Sequence, residues 1–178
     1  MPARTGFRLY LLRHGDAEPF TTTRSDAERA LTPAGIAELE QVAQALVRLG
    51  LHPDVILTSP LRRAVQTAEI VATALQATDR LHQVEALGGG CRLSDLRRLV
   101  AQWEDCSSFL LVGHEPDFST MVGELIGGGA VDMKKAGLAY VKAAATPGAE
   151  PLGPGTGVLI WLLTPRVLLD AAGRAPEA

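Results

Sequence analysis

The chain has 178 residues, 47% of them apolar, and a formal net charge of −3. That length suits one domain with a substantial core, expected to run from residue 1 to 178, and the slight acidic balance excludes the basic excess of a typical nucleic-acid binder. The apolar stretches are too short for a signal peptide or a membrane span, so a cytoplasmic protein with no membrane partner is expected.

In chain order, the first apolar run is Leu9 to Leu12. It is continuous rather than alternating, which fits a strand buried on both faces. It ends in Arg13-His14-Gly15-Asp16. A helix is predicted over 33–49, with Thr32 as cap, Pro33 in its first turn and Gly50 at its end. Ile36, Leu39, Val42 or Ala43, and Leu46 share one face. A second continuous run, Val55 to Leu57, ends in Thr58-Ser59-Pro60-Leu61-Arg62-Arg63. The next helix is predicted over 60–77, with Ser59 as cap and Pro60 first.

Two shorter helices are predicted over 93–104 and 117–127. Between them the third apolar run, Phe109 to Val112, ends in Gly113-His114-Glu115-Pro116. Strands are predicted over 138–145 and 157–163, joined by a long mobile hairpin loop over 146–156. The domain core is expected over about 8–164, with 165–178 as a partly helical tail. Strands alternating with helices indicate an α/β fold: a three-layer α/β/α sandwich with a mostly parallel sheet and an antiparallel C-terminal hairpin.

All three continuous runs end in polar turns rich in arginine or histidine. In open α/β sheets, sites form beyond the carboxyl ends of the strands. Two histidines and two or three arginines therefore converge if the runs are neighbours. Arginine forks match the oxygens of a phosphoryl group, and two arginines at one point call for a dense anion. A neutral histidine among them can act as nucleophile. His52 and His82 read as ordinary polar residues, and Cys91 and Cys106 as reduced thiols without metal-ligand spacing. A metal site built with Asp16, Glu18 or Glu115 is the competing reading. A cation beside arginines is unfavourable, so no metal and no cofactor is expected. Gly88-Gly89-Gly90 lacks the lysine of a phosphate loop and reads as a turn.

The chain resembles the histidine phosphatase superfamily, which has the phosphoglycerate mutase-like fold, in four segments in order: Leu11-Leu12-Arg13-His14-Gly15, Leu31-Thr32-Pro33-Ala34-Gly35, the segment Thr58 to Ala68, and Val112-Gly113-His114. The resemblance implies that His14 is phosphorylated, that Arg13 and Arg63 bind the phosphoryl oxygens, and that His114 donates to them from across the pocket. Among members, the short chain most resembles the SixA-type phosphohistidine phosphatases. Many members carry a proton-donating carboxylate at the position that here is Gly89. Glu85 is nearest in sequence, and Glu18 and Glu115 are the other candidates.

An alkoxide leaves reluctantly without an acid. An imidazole, with a reference pKa of about 6.5, does not need one. The resemblance therefore points to phosphohistidine in a partner protein, in signal transduction. A small phosphate ester, such as a sugar phosphate or nucleotide-related ester, is the alternative substrate, and a catalytically silent phosphate-binding module the weaker one.

Overall fold

The computed structural model describes residues 6–20, 25–144 and 151–173, with side chains described as far as residue 170. Six strands form one sheet: β1 (Gly6–Arg13), β2 (Val55–Thr58), β3 (Leu81–Gln83), β4 (Ser108–Gly113), β5 (Leu138–Ala144) and β6 (Gly157–Leu163). Their order is β3-β2-β4-β1-β5-β6. The first four are parallel, and β5 and β6 run antiparallel at one edge. The α/β architecture and the antiparallel C-terminal pair are as expected.

The continuous apolar runs have a simple cause. Successive strand residues point to opposite faces, and both faces are covered. Leu9, Leu11, Val55, Leu57, Phe109 and Leu111 pack with α3 (Leu93–Ala101) and α4 (Asp117–Leu125). Tyr10, Leu12, Ile56, Leu110 and Val112 pack with α1 (Pro33–Arg48) and α2 (Arg62–Ala74). Fully burying each such leucine or valine is worth about 1.5–3 kcal/mol. Among the described residues, no helix is long and apolar enough to cross a membrane.

Several boundaries differ from the sequence expectation. Helix α2 begins at Arg62, not Pro60, and Ser59 does not cap it. Instead Ser59 Oγ accepts from the Leu61 N–H at 3.2 Å within the turn that precedes the helix. Helices α3 and α4 end before 104 and 127. The short edge strand β3 was not expected; it pairs with β2 and leaves His82 and Gln83 exposed. Thr32 does cap α1, accepting from the Gly35 N–H at 2.9 Å.

Of the loop expected to be mobile, residues 146–150 lie outside the described residues, as does Ala145. The remainder is fixed to the body of the protein. Leu152 is buried in the α3/α4 core, and the Gly155 N–H donates to the Glu124 carbonyl at 2.9 Å. The tail is partly helical, as expected, forming α5 (Pro165–Gly173), but it is also docked: Leu168 is buried in the same core as α1. Residues 174–178 lie outside the described residues.

Candidate active site

The order β2-β4-β1 brings three strand ends side by side. Each ladder continues one residue past its strand. The His14 N–H donates to the Gly113 carbonyl at 3.0 Å, and the Ser59 N–H to Val112 at 3.0 Å. The side chains that follow are thereby fixed at the sheet's carboxyl edge. His14, Arg63 and His114 are all buried, at 8%, 6% and 6% exposure. The two imidazole rings lie 5.1 Å apart. Arg13 is anchored by Nη1, which donates to the Met133 carbonyl at 2.8 Å. The four residues singled out in the sequence lie at this one edge.

His14 Nδ1 is 2.7 Å from the Gly15 carbonyl oxygen. A carbonyl only accepts, so Nδ1 carries the proton and Nε2 keeps its lone pair. Arg63 Nε donates to that Nε2 at 3.3 Å. The Gly15 N–H donates to Thr67 Oγ1 at 3.2 Å, and Thr67 Oγ1 donates to the Arg63 carbonyl at 2.7 Å. Four residues thus close a ring of hydrogen bonds around one imidazole. Gly15 has a steric role as well: a Cβ there would stand 2.5 Å from Leu39 Cδ1.

His114 Nε2 is 2.7 Å from Ser59 Oγ. With the Ser59 hydroxyl donating to Nε2, the neutral ring carries its proton on Nδ1. Three buried side-chain polar atoms lack a partner among the described residues, and two of them, His114 Nδ1 and Arg13 Nε, belong to this cluster. Buried donors are nearly always paired, so two orphans in one place mark a site for an acceptor.

Burial is the main reason both imidazoles are neutral. It pushes His14 down to about 3 and His114 down to about 4. The nearby cations, Arg63 and Arg13, act in the same direction but less strongly. Desolvation outweighs the arginines because both rings are buried.

The carboxylates are engaged in several ways. Glu115 Oε1 accepts from the Ser119 N–H at 3.2 Å in the first turn of α4. Glu85 is exposed at the start of a short 3-10 turn, Glu85–Leu87. Glu18 is half-buried, and its carbonyl accepts from Arg29 Nε at 2.6 Å. Asp16 accepts from Lys135 Nζ at 2.7 Å and from Thr32 Oγ1 at 3.0 Å. The Lys135 bond is the first cause holding its carboxyl below its ordinary value. Gly89 has φ +120°, a conformation L side chains rarely adopt. Among the described residues no group of three or more His, Cys, Asp or Glu side chains is placed to hold a metal ion.

Three residues in the cluster had no place in the sequence reading of the site. Ser59 was assigned to the helix cap, and Thr67 carried no role. Asp26 lies in a short 3-10 turn, Asp26–Glu28, and contacts Arg63 twice. Its carbonyl accepts from Nη1 at 2.8 Å and its Oδ2 from Nη2 at 2.9 Å.

Comparison with known proteins agrees with this geometry. The model of the histidine phosphatase superfamily (branch 1) matches residues 9–88. An uncharacterized protein of Picosynechococcus sp. is 38% identical over 168 residues, covering 90% of this chain and 98% of that protein. The 2,3-bisphosphoglycerate-dependent phosphoglycerate mutase of Corynebacterium kroppenstedtii is 42% identical over 76 residues, which is 42% of this chain and 29% of the mutase. The match thus spans less than a third of that enzyme.

Among solved structures, the protein histidine phosphatase SixA complexed with tungstate superposes with a TM-score of 0.77 at 26% identity, covering 91% of this chain and 99% of that one. Phosphoserine phosphatase from Entamoeba histolytica, in complex with phosphoserine, shares the fold with a TM-score of 0.66 at 19% identity, covering 92% of this chain and 100% of that one. A buried histidine pair flanked by two arginines, on this topology and with these relatives, leads to one assignment: the chain belongs to the histidine phosphatase superfamily.

Proposed function

We propose that the chain is a phosphatase in which His14 is the nucleophile and a phosphohistidine of a partner protein is the substrate. One observation carries the mechanism. His14 is held as a neutral imidazole with its Nδ1 proton on the Gly15 carbonyl and its Nε2 lone pair toward Arg63. In the first step that lone pair attacks phosphorus. The substrate ring takes a proton from solvent on its other nitrogen, the phosphorus–nitrogen bond breaks, its electron pair returns to the departing nitrogen, and neutral imidazole leaves. In the second step water attacks the phosphorus on Nε2 and gives up a proton to solvent. The P–N bond breaks and His14 recovers its lone pair.

Charge develops on the three phosphoryl oxygens throughout. Arg63 Nε beside His14 Nε2, and the unpartnered Arg13 Nε and His114 Nδ1 of the same cluster, are the groups that would meet that charge. A donor aimed at such charge is typically worth about 10²–10³ in rate. Arg13 and Arg63 bind the phosphoryl oxygens, and His114 donates from the opposite side.

The choice of substrate rests on what stands at position 89. Glycine offers no carboxyl to protonate an alcohol, and its φ of +120° disfavours any residue that could. An imidazole leaves near neutral pH without that help. SixA, similar to this chain over most of its length, is named a protein histidine phosphatase. A phosphohistidine-bearing protein and a panel of sugar, serine and nucleotide phosphate esters, tested side by side, separate the readings. Faster turnover of the phosphohistidine supports this one. Faster turnover of any ester assigns the chain to small-molecule phosphomonoesterases.

A further inference from the structure

We propose that Asp26 is a positioning residue for Arg63: it holds the end of the guanidinium so that the opposite edge faces His14. The inference rests on the phosphatase reading above and adds a residue to it.

The geometry of the guanidinium carries the argument. Its five N–H donors lie in a rigid planar fork. Nη1 and Nη2 form the end-on edge, while Nε and the second hydrogen of Nη2 form the side-on edge. Asp26 occupies the end-on edge completely, its carbonyl on Nη1 at 2.8 Å and its Oδ2 on Nη2 at 2.9 Å. The side-on edge is left toward the nucleophile, with Nε 3.3 Å from His14 Nε2. A phosphoryl group bound to His14 would meet two parallel donors there.

Asp26 is itself held. Arg29 Nη1 donates to Oδ1 at 2.8 Å, and Arg29 Nε donates to the Glu18 carbonyl at 2.6 Å. The turn is therefore tied to the strand of chain that leaves His14. The Asp26 carboxyl is held below its ordinary value, first by the Arg29 bond, then by Arg63. It remains a carboxylate, and two arginines share it.

An opposite role has the same contacts: a carboxylate on Arg63 could compete with substrate. The two roles differ in which edge is used. A competing anion would sit on the edge that faces the nucleophile, and Asp26 sits on the other one. Removing a competitor speeds the enzyme; removing a positioning residue slows it.

The test uses the full chain with phosphoimidazole and p-nitrophenyl phosphate as probes, reading kcat and KM separately. Asp26→Ala is expected to lower kcat by roughly tenfold to a hundredfold, the usual cost of a misplaced group, with KM changed by less. Asp26→Asn, which keeps an acceptor, should recover part of the loss. In a chain already carrying Arg63→Ala, Asp26→Ala should cost nothing further. Equal or faster turnover by Asp26→Ala, or a full additional loss in the Arg63→Ala chain, would overturn the proposal. Phosphate trapped on His14 in the unaltered chain is measured alongside. Its absence sinks the phosphatase reading and this one with it, whereas its presence with a fully active Asp26→Ala sinks this one alone.

Discussion

Ser59 Oγ stands 2.7 Å from His114 Nε2, and both groups are buried. The same oxygen accepts from the Leu61 N–H at 3.2 Å. That second bond holds the hydroxyl oxygen in place, and the oxygen in turn holds the His114 ring. Ser59→Ala should therefore leave His114 free to turn over or change tautomer. The expected result is a fall in kcat of about tenfold and a stability loss of about 1 kcal/mol. Steady-state kinetics and urea denaturation check the two parts. An unchanged kcat would show that His114 needs no such partner.

Thr67 links α2 to the Arg13-His14-Gly15 turn through the Gly15 N–H. Thr67→Val keeps the shape and removes the acceptor, leaving a buried N–H unpaired. That should destabilise the fold by about 1–3 kcal/mol. Thr67→Ser keeps the oxygen and should retain most of the stability. Equal denaturation midpoints for Val and Ser would contradict the linkage.

Gly35 lies where α1 meets the turn after His14. A Cβ at this position would run into the Asp16 main-chain carbonyl. Backbone yields less readily than a side-chain tip, so Gly35→Ala should cost about 1–3 kcal/mol and displace Asp16 together with its bonds to Lys135 and Thr32. Gly50→Ala is the useful contrast, because no atom lies within 4 Å of its Cβ position and only its φ of +68° opposes the change. Gly35→Ala should lose activity along with stability, and Gly50→Ala only stability. Full activity in Gly35→Ala would show that the turn does not depend on this contact.

Stability should also depend on pH through the two histidines. An unfolded imidazole takes its proton near about 6.5, whereas folding holds His14 down to about 3 and His114 to about 4. Between those values the unfolded chain binds more protons, so stability falls as pH drops from about 6.5 toward 4. Asp16 and Asp26, whose carboxyls are held below their ordinary value, add their own losses only at lower pH. Urea midpoints measured from pH 7 to pH 4.5 should decline steadily, and the decline should flatten in a chain carrying His14→Gln and His114→Gln. A midpoint that does not change across this range would contradict the buried neutral pair.

The sequence made part of this site legible and hid the rest for physical reasons. Arg13, His14, Arg63 and His114 stand out because each follows an apolar run, and a run buried on both faces needs no tertiary knowledge to recognise. Ser59 was visible but misassigned. A serine before proline at a helix start is a cap signal, and the competing partner, His114, lies 55 residues away. Asp26 could not be found, because its partner Arg63 is 37 residues distant and its turn has no periodicity. Strand β3 offers only Leu81 between polar neighbours, too short for any strand pattern to register. The helix of the tail was legible but its docking was not, because docking depends on Leu168 meeting a core set by residues far earlier in the chain.

The central claim is that a phosphoryl group passes through Nε2 of His14. Brief incubation with a radiolabelled phosphohistidine protein, quenched under denaturing alkaline conditions, tests it directly. The account predicts label on His14 that survives alkali and is lost in acid, with no label and no turnover in His14→Ala. Full turnover by His14→Ala, or turnover by the unaltered chain with label on some other residue, would contradict it.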